Sequence, residues 1–224
     1  MTTSHTPIKT PEEIALIVAQ TNLAIVQQLK ENELWNIEQI NAAQKARAER
    51  LSLANDFNAH RYVFNSSVTN SSVEKAMETL SSWDRAFPEC DIEFVIMSPG
   101  GEVFTGMGLF DFLGTLRRGG HKLTTVALGY AASMGGILLQ AGDHRVVGKE
   151  SYVLIHEVSS GAIGKVGELE DKAELARLMC KRIVNIFSER SGLDPEFIES
   201  HWKRTDWWLT SEECLEYGLV DEIR

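Results

Sequence analysis

The chain has 224 residues, 43% of them hydrophobic and 24% charged, enough for one α/β domain with a real core plus an appendage. With 22 basic against 32 acidic residues its formal net charge is −10, which disfavours nucleic acid and anionic membrane surfaces as partners and favours solubility. Three cysteines, Cys90, Cys180 and Cys214, without C-x-x-C spacing argue against a disulfide framework or a zinc site and for a reducing, cytoplasmic compartment.

The opening MTTSHTPIKTPEE has neither a basic n-region nor an unbroken apolar h-region, so no secretory signal is expected, and residues 1–10 read as disordered. From Thr10 to about Asp56 the pattern is helical. Thr10 can cap, Pro11 suits the first helical position, and Glu12 and Glu13 complement the positive end of the helix dipole. Ile14, Ile17, Val18, Leu23, Ile25, Val26, Leu29, Trp35, Ile37 and Ile40 form an approximate apolar stripe, which must be covered by the chain's own domain or by a neighbouring subunit. The segment from Ile14 to Leu29 is too short and too polar to span a bilayer. These features divide the chain into a helical extension, residues 1–57, and a second domain, residues 58–224.

Beyond residue 60, strands and helices alternate. RYVFNSSV reads as a strand, SSVEKAMETLSSWDRA as a helix and DIEFVIM (91–97) as a strand ending in the turn SPGG. A helix over 102–117, the strand KLTTVALG (122–129) and a helix opening at Ser133 follow. RVVG and SYVLIHE read as short strands and 165–190 as a long helix with Cys180 on its buried face. A helix near 194–202, the DWWLT segment, the helix SEECLEYG and a last strand LVDEI complete a pattern that predicts a parallel α/β architecture.

Four places can carry chemistry. In GYAASMGG, Ser133 lies on a strand-to-helix turn among small residues that let a substrate backbone approach, although a serine there can equally be a helix cap. In SPGG, consecutive glycines leave backbone N–H groups that can donate to a developing oxyanion, or simply make a tight turn. His156 ends the strand SYVLIHE and precedes a glycine-spaced stretch; His5, His60, His121, His144 and His201 have weaker surroundings, and none makes a metal-ligand spacing. Asp206, in RTDWWLTSEEC, precedes an apolar pair and a helix start, while on chemistry alone Asp194 or Asp221 would serve as well. Together these places supply the nucleophile, base, orienter and oxyanion donors that acyl transfer requires.

The ordered set SPGG, GYAASMGG, VLIH with GAIGKVGELE, and RTDWWLTSEECLEYGLVDEI resembles the proteolytic subunit of the Clp protease (ClpP) over about residues 60–224. The resemblance implies a crotonase-like (ClpP-like) repeated β-β-α spiral, here with an N-terminal helical extension. It implies a serine endopeptidase with Ser133 as nucleophile, His156 as general base, Asp206 as third triad member, and the N–H groups of Gly101 and Met134 as the oxyanion hole. It further implies a handle element over the 161–167 region and the long helix after it, homo-oligomeric rings stacked as heptamers, polypeptide substrates, and an AAA+ ATPase partner. No metal and no cofactor are implied, ATP entering only through that partner. Glu157-Val158 stands where the family commonly has Gln-Pro, and the helical stretch 10–56 replaces the family's N-terminal pattern. That stretch keeps open a second reading, a phage-type ClpP-like head-maturation protease; a non-enzymatic paralogue and a thioester-acting crotonase-fold enzyme are weaker alternatives.

Overall fold

The structure is a computed structural model that describes residues 10–159, 161 and 163–224. The chain forms two compact units, divided between Asn55 and Asp56. The first contains one helix, α1 (Pro11–Leu53), whose start is a capping box: Glu13 N–H donates to Thr10 Oγ1 (3.3 Å) and Thr10 N–H donates to Glu13 Oε2 (2.8 Å). Its apolar side chains are spread around the helix rather than confined to the expected stripe. Within this unit Ile17, Leu29 and Trp35 are exposed.

The second unit begins with β1 (Arg61–Phe64), α2 (Asn70–Ala86), β2 (Asp91–Ser98), α3 (Val103–Arg118) and β3 (Lys122–Ala132). It continues with α4 (Met134–Leu139), β4 (His144–Val147), β5 (Tyr152–Ile155) and α5 (Val166–Ser191). It ends with α6 (Pro195–Trp202), β6 (Trp207–Leu209), α7 (Ser211–Glu216) and β7 (Glu222–Ile223). The strand order is β1-β2-β3-β4-β7, with β5 branching from β3 and β6 beyond it. All pairings are parallel except β5 with β6, which is antiparallel.

β3 is long because it serves two neighbours. Thr124–Ala127 pair with β4, while Tyr130–Ala132 pair with β5. Between them the chain turns at Gly129, with φ +69°, a conformation that glycine adopts without steric cost. Residue alternation along β2 sends Ile92, Phe94 and Ile96 into the main core, against Ala76, Leu80 and Trp83 of α2 and Leu109 and Leu113 of α3. Val95, on the opposite face, joins Val126 and Val146 in a smaller cluster. β1 stops at Phe64, short of the expected Val68; Val68 instead pairs with Gly101 in an isolated bridge. Cys180 is half-buried rather than buried, and Cys214 is the fully buried thiol. Residues 1–9, expected to be disordered, and Ser160 and Ala162, at the start of the expected handle, lie outside the described residues. Among the described residues no helix is long and apolar enough to cross a membrane.

The C-terminal strand is pinned by a buried guanidinium. Arg145 is 5% exposed and donates to both carboxylate oxygens of Asp221 (3.0 and 2.6 Å), to Gln140 Oε1 (2.8 Å) and to the Arg190 carbonyl (3.1 Å). The Arg145 hydrogen bonds hold the Asp221 carboxyl below its ordinary value of 3.8, against the opposing effect of burial. A carboxyl with a lowered folded-state pKa contributes stability that is present above its ordinary value and is lost as pH falls through the lowered one. Asp221→Ala is therefore expected to destabilise the fold by roughly 3 kcal/mol near neutral pH, because it leaves Arg145 buried without its counter-charge. In urea unfolding, the gap between wild type and variant should shrink below about pH 4. An unchanged gap at low pH would contradict this assignment.

Candidate active site

Ser133 joins β3 to α4 with φ +56° and ψ −123°, a backbone conformation that non-glycine residues rarely adopt. Its side chain makes no capping hydrogen bond, so the cap reading of this serine does not hold. What holds the turn is backbone: Ser133 N–H donates to the Leu154 carbonyl of β5 (2.9 Å), and the Ser133 carbonyl accepts from Gly136 N–H (3.0 Å). The strain is thus carried by parallel pairing on one side and a helix start on the other.

The SPGG turn lies directly against this corner. Gly100 has φ +88°, and a Cβ placed on it would lie 2.6 Å from Ser133 Cβ and 2.7 Å from the Ala132 carbonyl oxygen. Val68 fastens the turn from outside: its N–H donates to the Gly100 carbonyl (2.8 Å) and its carbonyl accepts from Glu102 N–H (2.9 Å). Those bonds skip Gly101. Among the described residues, neither Gly101 N–H nor Met134 N–H donates to a protein acceptor, so both donors stay open beside Ser133.

His156 follows β5 immediately. Ser133, His156, Gly101 and Met134 line one small cavity of about 40 Å³, closed by Val103, Ile137, Ile155, Val158, Ile183 and Phe187. His156 also lines a neighbouring open groove of about 420 Å³, together with Arg204, Thr205 and Asp206. Sheet register explains that second meeting. The antiparallel pairs are Val153 with Leu209, Leu154 with Trp208 and Ile155 with Trp207. One further step along the same register sets His156 opposite Asp206, and directly opposed side chains of an antiparallel pair emerge on one face. The structure therefore gathers all five sequence-predicted positions around the end of β5. Among the described residues, the side chains of Ser133, His156 and Asp206 share no hydrogen bond. Catalytic hydrogen bonds are often long in unliganded enzymes and tighten with substrate.

Sequence reasoning missed Glu157. Its Oε2 accepts the backbone N–H of Arg204 (3.0 Å), two residues before Asp206. The type of residue was visible, but its partner is a main-chain group 47 positions away, and no local pattern encodes that. Competing nucleophiles are unfavourable. That holds for two of the three thiols: burial pushes the Cys214 thiol up to about 12 and raises that of Cys90. Among the described residues no group of three or more His, Cys, Asp or Glu side chains could hold a metal ion.

The sequence model of the Clp protease family matches residues 45–224. The chain belongs to that family. An ATP-dependent Clp protease proteolytic subunit from Porphyromonas gingivalis (strain ATCC BAA-308 / W83) is 37% identical over 142 residues, a stretch covering 62% of this chain and 62% of that protein. Proteolytic subunit 1 of the ATP-dependent Clp protease from Prochlorococcus marinus (strain MIT 9312) is 34% identical over 158 residues, 70% of this chain and 79% of that protein. Proteolytic subunit 2 from Tropheryma whipplei (strain Twist) is 37% identical over 139 residues, 61% of this chain and 75% of that protein. For this Clp-family chain, the mostly parallel α/β fold is as the sequence resemblance implied.

The contact between the two turns is directly testable. Gly100→Ala is expected to destabilise the fold by about 1–3 kcal/mol, since its Cβ would collide with the Ser133 corner at a positive φ. Gly108→Ala, on α3 where an added Cβ meets nothing within 4 Å, should instead stabilise by up to about 1 kcal/mol. Denaturant unfolding of the two variants should show opposite signs.

Proposed function

We propose that this Clp-family chain is a serine endopeptidase, the proteolytic subunit of an ATP-dependent Clp-type protease. The observation that carries the reading is the shared cavity in which Ser133, on its positive-φ turn, meets His156 beside the open N–H groups of Gly101 and Met134. In this mechanism Ser133 Oγ attacks the substrate peptide carbonyl while His156 takes the hydroxyl proton. Asp206, opposite His156 in register, orients the imidazole and stabilises the imidazolium. Gly101 and Met134 donate to the oxyanion of the tetrahedral intermediate. Collapse expels the amine, which receives its proton from His156 and leaves an acyl-enzyme; water activated by His156 then releases the acid and restores the serine. The apolar lining from Val103, Ile137 and Phe187 suits an apolar side chain next to the scissile bond.

This reading includes assembly into a ring of identical subunits, a partner ATPase that delivers unfolded polypeptide, no cofactor of the chain's own, and a reducing cytoplasmic setting in keeping with three free cysteines. The names of the relatives support the ATPase partnership. We also propose that residues 1–57 form an extension separate from a peptidase domain at 58–224. Ser133→Ala and His156→Ala are each expected to lower kcat for a peptide substrate by about 10⁴–10⁶-fold, and Asp206→Asn by about 10⁴-fold, with the oligomeric state on size-exclusion chromatography unchanged. Full hydrolysis by Ser133→Ala would remove the assignment.

A further inference from the structure

The backbone ladder that brings the base and its carboxylate partner together ends one step too early. The last pair of β5 and β6 is Ile155 with Trp207, and His156 and Asp206 lie just beyond it. Among the described residues, neither His156 N–H nor Asp206 N–H donates to a backbone carbonyl of the other strand. The segment leading to Asp206 is also an unfavourable one. α6 closes with Lys203 N–H on the Glu199 carbonyl (3.1 Å) and Thr205 N–H on the Trp202 carbonyl (3.1 Å). Between them Arg204 takes φ +58°, left-handed for a side chain that gains nothing from it locally.

Among the described residues, one hydrogen bond spans the gap. Arg204 N–H donates to Glu157 Oε2 (3.0 Å). Glu157 is the residue after His156, and Arg204 stands two before Asp206. The His156–Asp206 pair is thus bracketed, by the ladder pair Ile155–Trp207 on one side and by this side-chain bond on the other. The bond satisfies the one N–H of the 203–205 turn that has no main-chain acceptor, and its acceptor carries charge, which strengthens it.

We propose that Glu157 is a positioning residue: its carboxylate clasps the Arg204 turn to the end of β5 and so holds Asp206 in register behind His156. Glu157 itself lines the Ser133–His156 cavity and the groove beside Asp206, and the role assigned to it here is exerted through the placement of Asp206. What it requires of residue 157 is an acceptor oxygen on a side chain of this length, so glutamine satisfies it and alanine does not. This inference rests on the serine peptidase reading above.

The test is a set of kinetic variants in the full-length chain with a fluorogenic peptide. Glu157→Ala should lower kcat by about 10–100-fold with KM changed less than about threefold, since a displacement of about 1 Å can cost on the order of 10²-fold. Glu157→Gln should stay within about threefold of wild type. In the Asp206→Asn background, adding Glu157→Ala should change kcat by less than about twofold, which separates an effect through Asp206 from a direct contact of Glu157 with substrate in the cavity it lines. Wild-type kcat in Glu157→Ala, a loss in Glu157→Gln as deep as in Glu157→Ala, or full additivity with Asp206→Asn would each overturn the proposal. Ser133→Ala in the same assay separates the two levels. If it is inactive while Glu157→Ala is unaffected, the clasp alone fails; if it is active, the peptidase reading fails first.

Discussion

The four residues of β5 are the constraint on which the rest of the site depends. On one edge β5 pairs with the end of β3, and its Leu154 carbonyl accepts the N–H of Ser133. On the other edge it pairs with β6 in the opposite direction. Its own chain continues into His156. A single short strand therefore fixes the serine corner through one neighbour, the aspartate through the other and the histidine directly. Distances among the three are set by sheet spacing, which side-chain repacking elsewhere cannot easily alter.

A strained corner needs surroundings that leave it no alternative. Gly100 is in contact with the Ser133 corner, and Val68 ties the SPGG turn down by two hydrogen bonds. Beneath, Met134, Ile137, Leu138 and Leu139 of α4 are all buried, so the helix cannot shift without opening the core. Among the described residues, the same bonds that immobilise Gly100 and Glu102 leave the Gly101 N–H without a protein partner. Rigidity and open donors thus come from one arrangement, and preorganised donors that need no reorientation are what stabilise a developing oxyanion. Elsewhere in the sheet, the Arg145–Asp221 pair closes β7 against β4, completing the sheet that carries β3.

Much of this was legible from residues alone. The Thr10–Pro11–Glu13 start of α1 follows from capping chemistry and was found where expected. The βα alternation from residue 60 onward follows from the change of hydrophobic period. Ser133 was visible as a strand-to-helix serine among small residues, but only its backbone angles and its missing capping hydrogen bond set it apart from a helix cap. β6 was hidden for a different reason. Three residues, Trp207–Leu209, are too few to show a period of two, and nothing local states that their partner runs antiparallel. The register that sets Asp206 rather than Asp194 or Asp221 opposite His156 is a long-range property of that pairing. Glu157 was equally hidden, because a side chain bonded to a distant main-chain N–H leaves no periodic trace.

The central claim is that Ser133 is a nucleophile activated by His156. Reaction with a fluorophosphonate, followed by proteolysis and mass spectrometry, tests it most directly because it locates the reacting oxygen. A single phosphonyl adduct is expected, on the peptide that contains Ser133, with a rate of formation that falls at least about 10³-fold in His156→Ala. An adduct on any other residue, or labelling of Ser133 at the same rate without His156, would contradict it.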